Sequence, residues 1–137
     1  MRADLCVHAR HLGEMRVDVD VRGHVLTMDY PAAEGREATP LEVLLASLAA
    51  CAANTLNLVL SRKMGAKVAS LGVEARAQRR EEHPTVLTNI ELVYHLRGDG
   101  LAPEMVDRAL RISEDQLCPV LAMIRPGTEI SSSWQMD

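Results

Sequence analysis

The segment that most constrains the fold of this chain is residues 40–64, which are apolar on almost every side of a helix. The signals for the start of that helix are complete: Thr39 can cap it, Pro40 suits its first position and Glu42 can close a capping box. Gly65 then favours an end just before it. Because a helix that is apolar all round is normally buried, we expect the rest of the chain to fold around it.

The flanking segments alternate apolar and polar side chains with the period of a β-strand. The alternation in Met15–Val21, the turn at Gly23 and the extended pattern of His24–Tyr30 predict a hairpin with one solvated face. Val68–Arg79 and Val86–Arg97 alternate in the same way, and we expect them to pair as a second, longer hairpin.

The C-terminal third of the chain predicts two helices and a strand. Apolar residues at roughly helical spacing predict a helix over Pro103–Leu117, followed by a short helix over Pro119–Ile124 and a last strand over Thr128–Gln135. With a first strand near the N-terminus, the order is three strands, a helix, two strands, two helices and a strand. This order favours an α+β fold with antiparallel sheets around a long buried central helix, and the length predicts a single domain over residues 1–137.

Composition narrows the classes of function. A net charge of −4 and an aromatic content of 2% provide neither the basic surface nor the stacking side chains of a nucleic-acid-binding protein. No uninterrupted apolar stretch reaches the ~18 residues of a membrane-spanning helix, and the N-terminus lacks the apolar core of a signal peptide. We therefore expect a cytoplasmic protein that binds neither nucleic acid nor membrane.

The histidines lack metal-ligand spacing, so we expect no metal and no cofactor.

The three cysteines lie in unlike settings. Cys51 lies in the apolar helix among small residues, where an inert core thiol is the alternative to a reactive one. Cys118 precedes Pro119 and would cap a short helix, where backbone N–H groups and the helix dipole favour a thiolate; an ordinary boundary residue is the alternative. Cys6 has no comparable setting. In a reducing cytosol any disulfide is transient, and two thiols that meet in the fold are the minimal machinery for thiol peroxide chemistry.

Two blocks of sequence around these cysteines resemble the OsmC/Ohr family. Pro40–Cys51 (PLEVLLASLAAC) resembles the family's central helix, which opens with a proline and a glutamate and carries a cysteine in its third turn. Cys118–Gly127 (CPVLAMIRPG) resembles the C-terminal block that holds the second cysteine. The strand Leu26–Asp29, the turn His83–Pro84 and the strand end Tyr94–Gly98 resemble the OsmC-like branch more than typical Ohr proteins.

The resemblance implies an intertwined homodimer that reduces organic hydroperoxides or hydrogen peroxide in the response to oxidative stress. Cys51 would be the peroxidatic thiol and become a sulfenic acid, and Cys118 would resolve it by forming a redox-active disulfide. An external dithiol would then reduce that disulfide. The alternative is a non-catalytic dimer of the same fold that binds a small apolar ligand, with cysteines that serve packing or redox sensing.

Glu42 matches the family's helix-opening carboxylate, and the resemblance implies a catalytic role for it. The capping box explains the same residue structurally. Nine residues of one helix separate Glu42 from Cys51, a rise of about 13 Å, so a catalytic Glu42 would have to reach Cys51 of the partner subunit. The family's activating arginine lies in an N-terminal loop where this chain departs from the pattern. The candidates for its role are Arg10, Arg16, Arg22 and Arg36.

Overall fold

The computed structural model describes residues 4–31 and 35–137. Within these residues the strands form two three-stranded sheets, and the architecture is α+β, as predicted from the order of elements. The chain falls into two compact units, Met1–Leu44 and Leu45–Asp137. The extent of a single domain over residues 1–137 stays a prediction.

The first unit contains an antiparallel sheet of β1 (His8–Gly13), β2 (Arg16–Val21) and β3 (His24–Met28) in that order. Arg22 and Gly23 connect β2 to β3, with φ angles of +53° and +88°. A two-residue turn with positive φ at both positions matches the twist of the strands that it joins. The predicted N-terminal hairpin is confirmed, with a strand before it.

The central helix, α1, spans Pro40–Asn57 and continues as a π-helical segment, Leu58–Lys63. Its first turn contains the predicted capping box. The Thr39 backbone N–H donates to Glu42 Oε1 at 2.9 Å, and the Glu42 backbone N–H donates to Thr39 Oγ1 at 3.2 Å. Gly65 follows the helix with a φ of +67°, which confirms the predicted end.

Burial of the central helix is uneven within one chain. Leu48, Ala52 and Leu56 form a fully covered stripe with a spacing of four residues. Leu44 is 43% exposed and Leu58 is 36% exposed. One chain therefore covers this stripe and leaves other apolar side chains of the helix exposed.

No uninterrupted apolar stretch reaches the length of a membrane span, as expected, but the central helix as a whole is long and apolar enough for one. Pro40–Lys63 is a helix of 24 residues that contains an 18-residue window of mean hydropathy 1.9, long and apolar enough to cross a bilayer by length and composition alone. Polar side chains divide the apolar residues of this helix, so it contains no uninterrupted apolar stretch of that length. The core helix of a soluble protein passes the same test.

The second unit contains a sheet in the order β4 (Ser70–Arg79), β5 (Leu87–Arg97) and β6 (Glu129–Met136). β4 and β5 pair antiparallel, which confirms the predicted long hairpin. β6 pairs parallel to β5, a correction to the expectation of purely antiparallel sheets. A parallel return requires a crossover connection, and α2 (Pro103–Ile112) and α3 (Pro119–Ile124) supply it.

The crossover contains one departure from regular α-helix between its two helices. α2 continues into a π-helical turn, Ser113–Leu117, which lies directly before Cys118. A 3₁₀ turn, Arg125–Gly127, follows α3. The predicted helices over 103–117 and 119–124 are thus confirmed in extent, with π hydrogen bonding in the last turn of the first.

One face of the second sheet contributes to the core of this unit, and α2 contacts it. The fully buried side chains that β5 places on this face are Ile90, Leu92, Tyr94 and Leu96. On β6, Trp134 Nε1 donates to Asp107 Oδ1 of α2 at 2.7 Å. This contact joins α2 to the sheet and helps to hold the crossover that leads to Cys118.

A candidate redox-active dithiol site

The two cysteines singled out from the sequence lie side by side in the structure. Cys118 Sγ donates a hydrogen bond to Cys51 Sγ at 3.1 Å, although the residues are 67 positions apart in the chain. Both are free thiols, and a contraction of about 1 Å would bring the sulfurs to the length of a disulfide bond. The prediction that the two thiols meet is confirmed.

Helix α1 presents Cys51 from its middle, next to the buried stripe. The side chain of Cys51 is half-buried, whereas Cys118 is 3% exposed. One helical turn after Cys51, the Thr55 hydroxyl donates to the Cys51 carbonyl oxygen at 2.9 Å, with a longer contact of 3.3 Å to the Ala52 carbonyl oxygen. Solvent therefore has better access to Cys51 than to its neighbour.

Cys118 lies at the N-cap of α3, with Pro119 as the first helical residue, as predicted. Its backbone N–H donates to the Ser113 carbonyl oxygen at 2.9 Å and closes the π-helical turn. Its carbonyl oxygen accepts from the Ala122 N–H at 3.1 Å, the first hydrogen bond of α3. Because both backbone groups of Cys118 are bonded to the elements on either side, the backbone that carries its sulfur is anchored at both ends.

The charge state of Cys118 differs from the expectation. Burial first, then the hydrogen bond with Cys51, raises the pKa of Cys118 to about 11. The backbone N–H of Leu121 and the hydroxyl of Thr55 act in the opposite direction with smaller effect. The expectation that the helix N-terminus favours the thiolate is therefore wrong, because burial outweighs these hydrogen bonds. At neutral pH Cys118 keeps the proton that it donates to Cys51.

A buried tyrosine and a carboxylate lie near the dithiol, and sequence reasoning missed them. Tyr94 Oη donates to Glu114 Oε2 at 2.8 Å, and Ser132 Oγ donates to the same oxygen at 2.6 Å. Burial first, then the charge of Glu114, raises the pKa of Tyr94 above its usual range, and charge on either thiol raises it further. One signal in the sequence could have indicated this contact: Tyr94 lies at an inward position of an alternating strand. A buried tyrosine hydroxyl needs a hydrogen-bond acceptor.

Glu42 lies at the start of α1, where its capping role is confirmed by the reciprocal bonds with Thr39. Helix α1 also carries Cys51, nine residues later. A rise of about 13 Å along the helix keeps these two side chains of one chain apart. A catalytic role for Glu42 therefore stays a proposal that involves a second subunit.

The candidate arginines of the N-terminal region differ in their surroundings. Arg16, on β2, has a buried Nε that finds no hydrogen-bond partner within residues 4–31 and 35–137. Arg22 is part of the turn between β2 and β3. Cys6 is exposed, with its sulfur 3.6 Å from His8 Nε2. A role for one of the four candidate arginines in activating Cys51 stays a prediction.

Comparisons with known proteins place this chain in a family. A family model described as OsmC-like protein matches residues 33–133 of the chain. Protein YhfA of Escherichia coli (strain K12) is 28% identical over 114 residues, which amount to 83% of this chain and 84% of YhfA. Both stretches are long enough to include the central helix and most of the second sheet.

Solved structures share the fold. An OsmC like protein from Mycoplasma pneumoniae has a TM-score of 0.88 with 18% identity and 99% of each chain covered. An organic hydroperoxide resistance protein from Elizabethkingia anophelis has a TM-score of 0.74 with 20% identity, and 100% of this chain and 99% of that chain are covered. Since the family model spans most of the chain and both cysteines of the dithiol, the protein is a member of the OsmC-like family.

Proposed function

We propose that this protein is a thiol-dependent peroxidase that reduces hydroperoxides at the Cys51–Cys118 dithiol. The observation that carries the proposal is the 3.1 Å contact between two free thiols, one half-buried and one buried. Reduction of a peroxide by a dithiol needs an accessible sulfur and a second sulfur close enough to protect the first from over-oxidation. The name of the Elizabethkingia anophelis relative, a hydroperoxide resistance protein, supports this class of substrate.

Cys51 is proposed as the peroxidatic residue because solvent reaches it more easily than Cys118. Its thiolate attacks one oxygen of the peroxide, and the O–O bond breaks. The sulfur loses two electrons and becomes a sulfenic acid. The departing oxygen takes up a proton and leaves as an alcohol, or as water when the substrate is hydrogen peroxide.

Cys118 is proposed as the resolving residue. Cys118 loses its proton, and the resulting thiolate attacks the sulfenic sulfur of Cys51; an S–S bond forms, the S–O bond breaks, and the leaving hydroxide takes up a proton and departs as water. Burial shields Cys118 from peroxide, and its raised pKa keeps its proton in place until this step. An external dithiol then restores both thiols by thiol–disulfide exchange and is itself oxidised.

We further propose that the protein works as a cytoplasmic homodimer. One chain buries 28% of the most apolar window of its central helix. A second copy packed on the uncovered side would remove this apolar surface from water. In such a dimer Glu42 of one subunit would approach Cys51 of the partner subunit, where its carboxylate would position a cation or take part in proton transfer.

The test is the consumption of dithiothreitol by purified protein after addition of tert-butyl hydroperoxide or, separately, hydrogen peroxide. The wild type is expected to turn over many equivalents, and Cys51→Ser to turn over none while it keeps its thermal melt. Cys6→Ser is the matched control, because Cys6 is exposed and has a different neighbour, His8; it should keep full turnover. Equal consumption by wild type and Cys51→Ser would contradict the proposal, and no consumption by either would favour a ligand-binding dimer.

A further inference from the structure

One carboxylate joins both strands of the parallel pair to the crossover. Glu114 Oε2 accepts from Tyr94 Oη on β5 at 2.8 Å and from Ser132 Oγ on β6 at 2.6 Å. The register of the two strands explains this convergence: Ser132 pairs with Leu92 and Trp134 pairs with Tyr94, so Tyr94 and Ser132 project from the same face of the sheet. We call Tyr94, Glu114 and Ser132 the clamp.

The hydrogen bonds of the clamp restrict the Glu114 side chain. Tyr94 is fully buried, so its hydroxyl depends on Glu114 for an acceptor. Hydrogen bonds to an ionised acceptor are shorter and stronger than those between neutral groups. Two such donors on one carboxylate oxygen fix both the position and the orientation of the Glu114 side chain.

Fixing Glu114 also fixes the turn that ends at Cys118. Glu114 is the second residue of the π-helical turn Ser113–Leu117. The hydrogen bond that closes this turn runs from the Cys118 backbone N–H to the Ser113 carbonyl oxygen at 2.9 Å. Ser113 is itself buried, and its hydroxyl donates to the Leu110 carbonyl oxygen at 3.0 Å. The backbone of Cys118 is therefore tied to the sheet through the turn and the Glu114 carboxylate.

The electrostatics around Tyr94 agree with this arrangement. Charge on Cys118 or Cys51 raises the pKa of Tyr94 beyond the effects of burial and Glu114, so the phenol lies close enough to respond to both thiols. The raised pKa keeps the phenol protonated at neutral pH. Tyr94 is therefore a hydrogen-bond donor to Glu114 under these conditions.

We propose that Tyr94, Glu114 and Ser132 are positioning residues that hold Cys118 against Cys51 and so promote formation of the disulfide between them. This inference rests on the proposed function, because that function uses the disulfide. None of the three needs to touch the peroxide. Loss of the clamp would leave Cys51 free to react but would let Cys118 move away from it.

The experiment measures the effective concentration of the two thiols toward each other without any peroxide. The reduced protein is equilibrated with reduced and oxidised glutathione, in which the two protein thiols and one glutathione disulfide exchange to give the protein disulfide and two glutathione thiols. Alkylation of the remaining thiols and mass spectrometry give the fraction of protein disulfide. The reduction potential of the pair follows from that fraction.

Ser132→Ala is the leading variant, because Ser132 is exposed and its loss leaves the core intact. Ser133→Ala is the matched control, since the next residue of β6 projects from the other face of the strand. We expect the effective concentration to fall about threefold in Ser132→Ala, to fall about tenfold or more in Tyr94→Phe and Glu114→Ala, and to stay unchanged in Ser133→Ala. Glu114→Gln keeps an acceptor oxygen and should recover part of the loss.

The outcomes separate this inference from the proposed function. If the wild type forms the Cys51–Cys118 disulfide and both Ser132→Ala and Tyr94→Phe match it, the clamp is overturned and the peroxidase proposal stands. A wild type that forms no internal disulfide at any glutathione ratio overturns both. If Tyr94→Phe loses its cooperative melt, the test of the clamp rests on Ser132→Ala and Ser133→Ala alone. Equal effective concentrations of the two thiols in these variants would then overturn the clamp.

Discussion

Cys51 and Cys118 touch through their sulfurs at 3.1 Å, yet solvent reaches them unequally, because Cys51 is half-buried and Cys118 is 3% exposed. In the proposed reaction this asymmetry sets the order of events. Peroxide meets Cys51 first, and Cys118 acts afterwards on a sulfur that is already beside it. Each step can be isolated by a single substitution.

Replacing Cys118 by Ser should leave the first oxidation of Cys51 intact and remove the resolving step. Excess peroxide would then drive Cys51 through the sulfenic acid to the sulfinic acid, which adds two oxygen atoms. Mass spectrometry of the peptide that contains Cys51 checks this outcome, with the wild type as the control that stops at the disulfide. No added oxygen on Cys51 would argue against the assigned roles.

Disulfide formation should become faster with rising pH, over a range set by Cys118. The resolving nucleophile is the thiolate, and burial, the largest cause of the raised pKa of Cys118, persists when Cys51 is a sulfenic acid. Below that pKa the thiolate fraction grows about tenfold per pH unit. A single-turnover experiment from pH 7 to 9, quenched with acid, should show a rate that rises through this interval. A plateau near pH 8.5 would mean that Cys118 titrates as an ordinary thiol.

The role of Glu42, capping alone or capping and catalysis, can be determined by comparing two substitutions. In the capping box Gln can replace the carboxylate, so Glu42→Gln should be nearly harmless to stability, while Glu42→Ala should cost about 1 kcal/mol. If the carboxylate also serves Cys51 of the partner subunit, both variants should turn over peroxide slowly. Thermal melts and dithiothreitol consumption, measured on the same samples, separate the two roles. Wild-type turnover in Glu42→Gln would confine Glu42 to capping.

The purified protein should be a dimer at micromolar concentration. The central helix exposes apolar side chains such as Leu44 and Leu58 in one chain, and burying them against a second copy requires a large, stable interface. Light scattering coupled to size exclusion should give twice the 15.0 kDa of one chain. A monodisperse monomer would contradict the proposed assembly and the proposed contact of Glu42 with a partner.

Local signals in the sequence were sufficient for most of the fold. The capping box of Thr39 and Glu42 and the glycine at position 65 act within a few residues of where they occur, and they predicted both ends of the central helix. Strict alternation predicted β4 and β5 because it reports which side of a strand is buried. The family resemblance supplied the pairing of Cys51 with Cys118, which no local signal provides.

The features that were not predicted depend on contacts between distant parts of the chain. The parallel direction of β6 follows from the path of the crossover, and the π-helical turn before Cys118 depends on packing against the sheet. The convergence of Tyr94 and Ser132 on Glu114 depends on the parallel direction of β6 and on the π-helical turn. The pKa of Cys118 was predicted in the wrong direction because the sequence shows a helix N-terminus and does not show how deeply it is buried.

The hydrogen bond between Cys118 and Cys51 spans 67 residues, a segment that contains β4, β5 and α2. Oxidation would turn this segment into a covalent ring and would remove conformations from the unfolded chain, an effect of about 4 kcal/mol for a ring of that size. The oxidised form, with its disulfide, would therefore be harder to unfold and to digest with a protease than the reduced form with two free thiols. In a cell that lacks reductant, the protein would accumulate in this more stable disulfide form until reductant is available again.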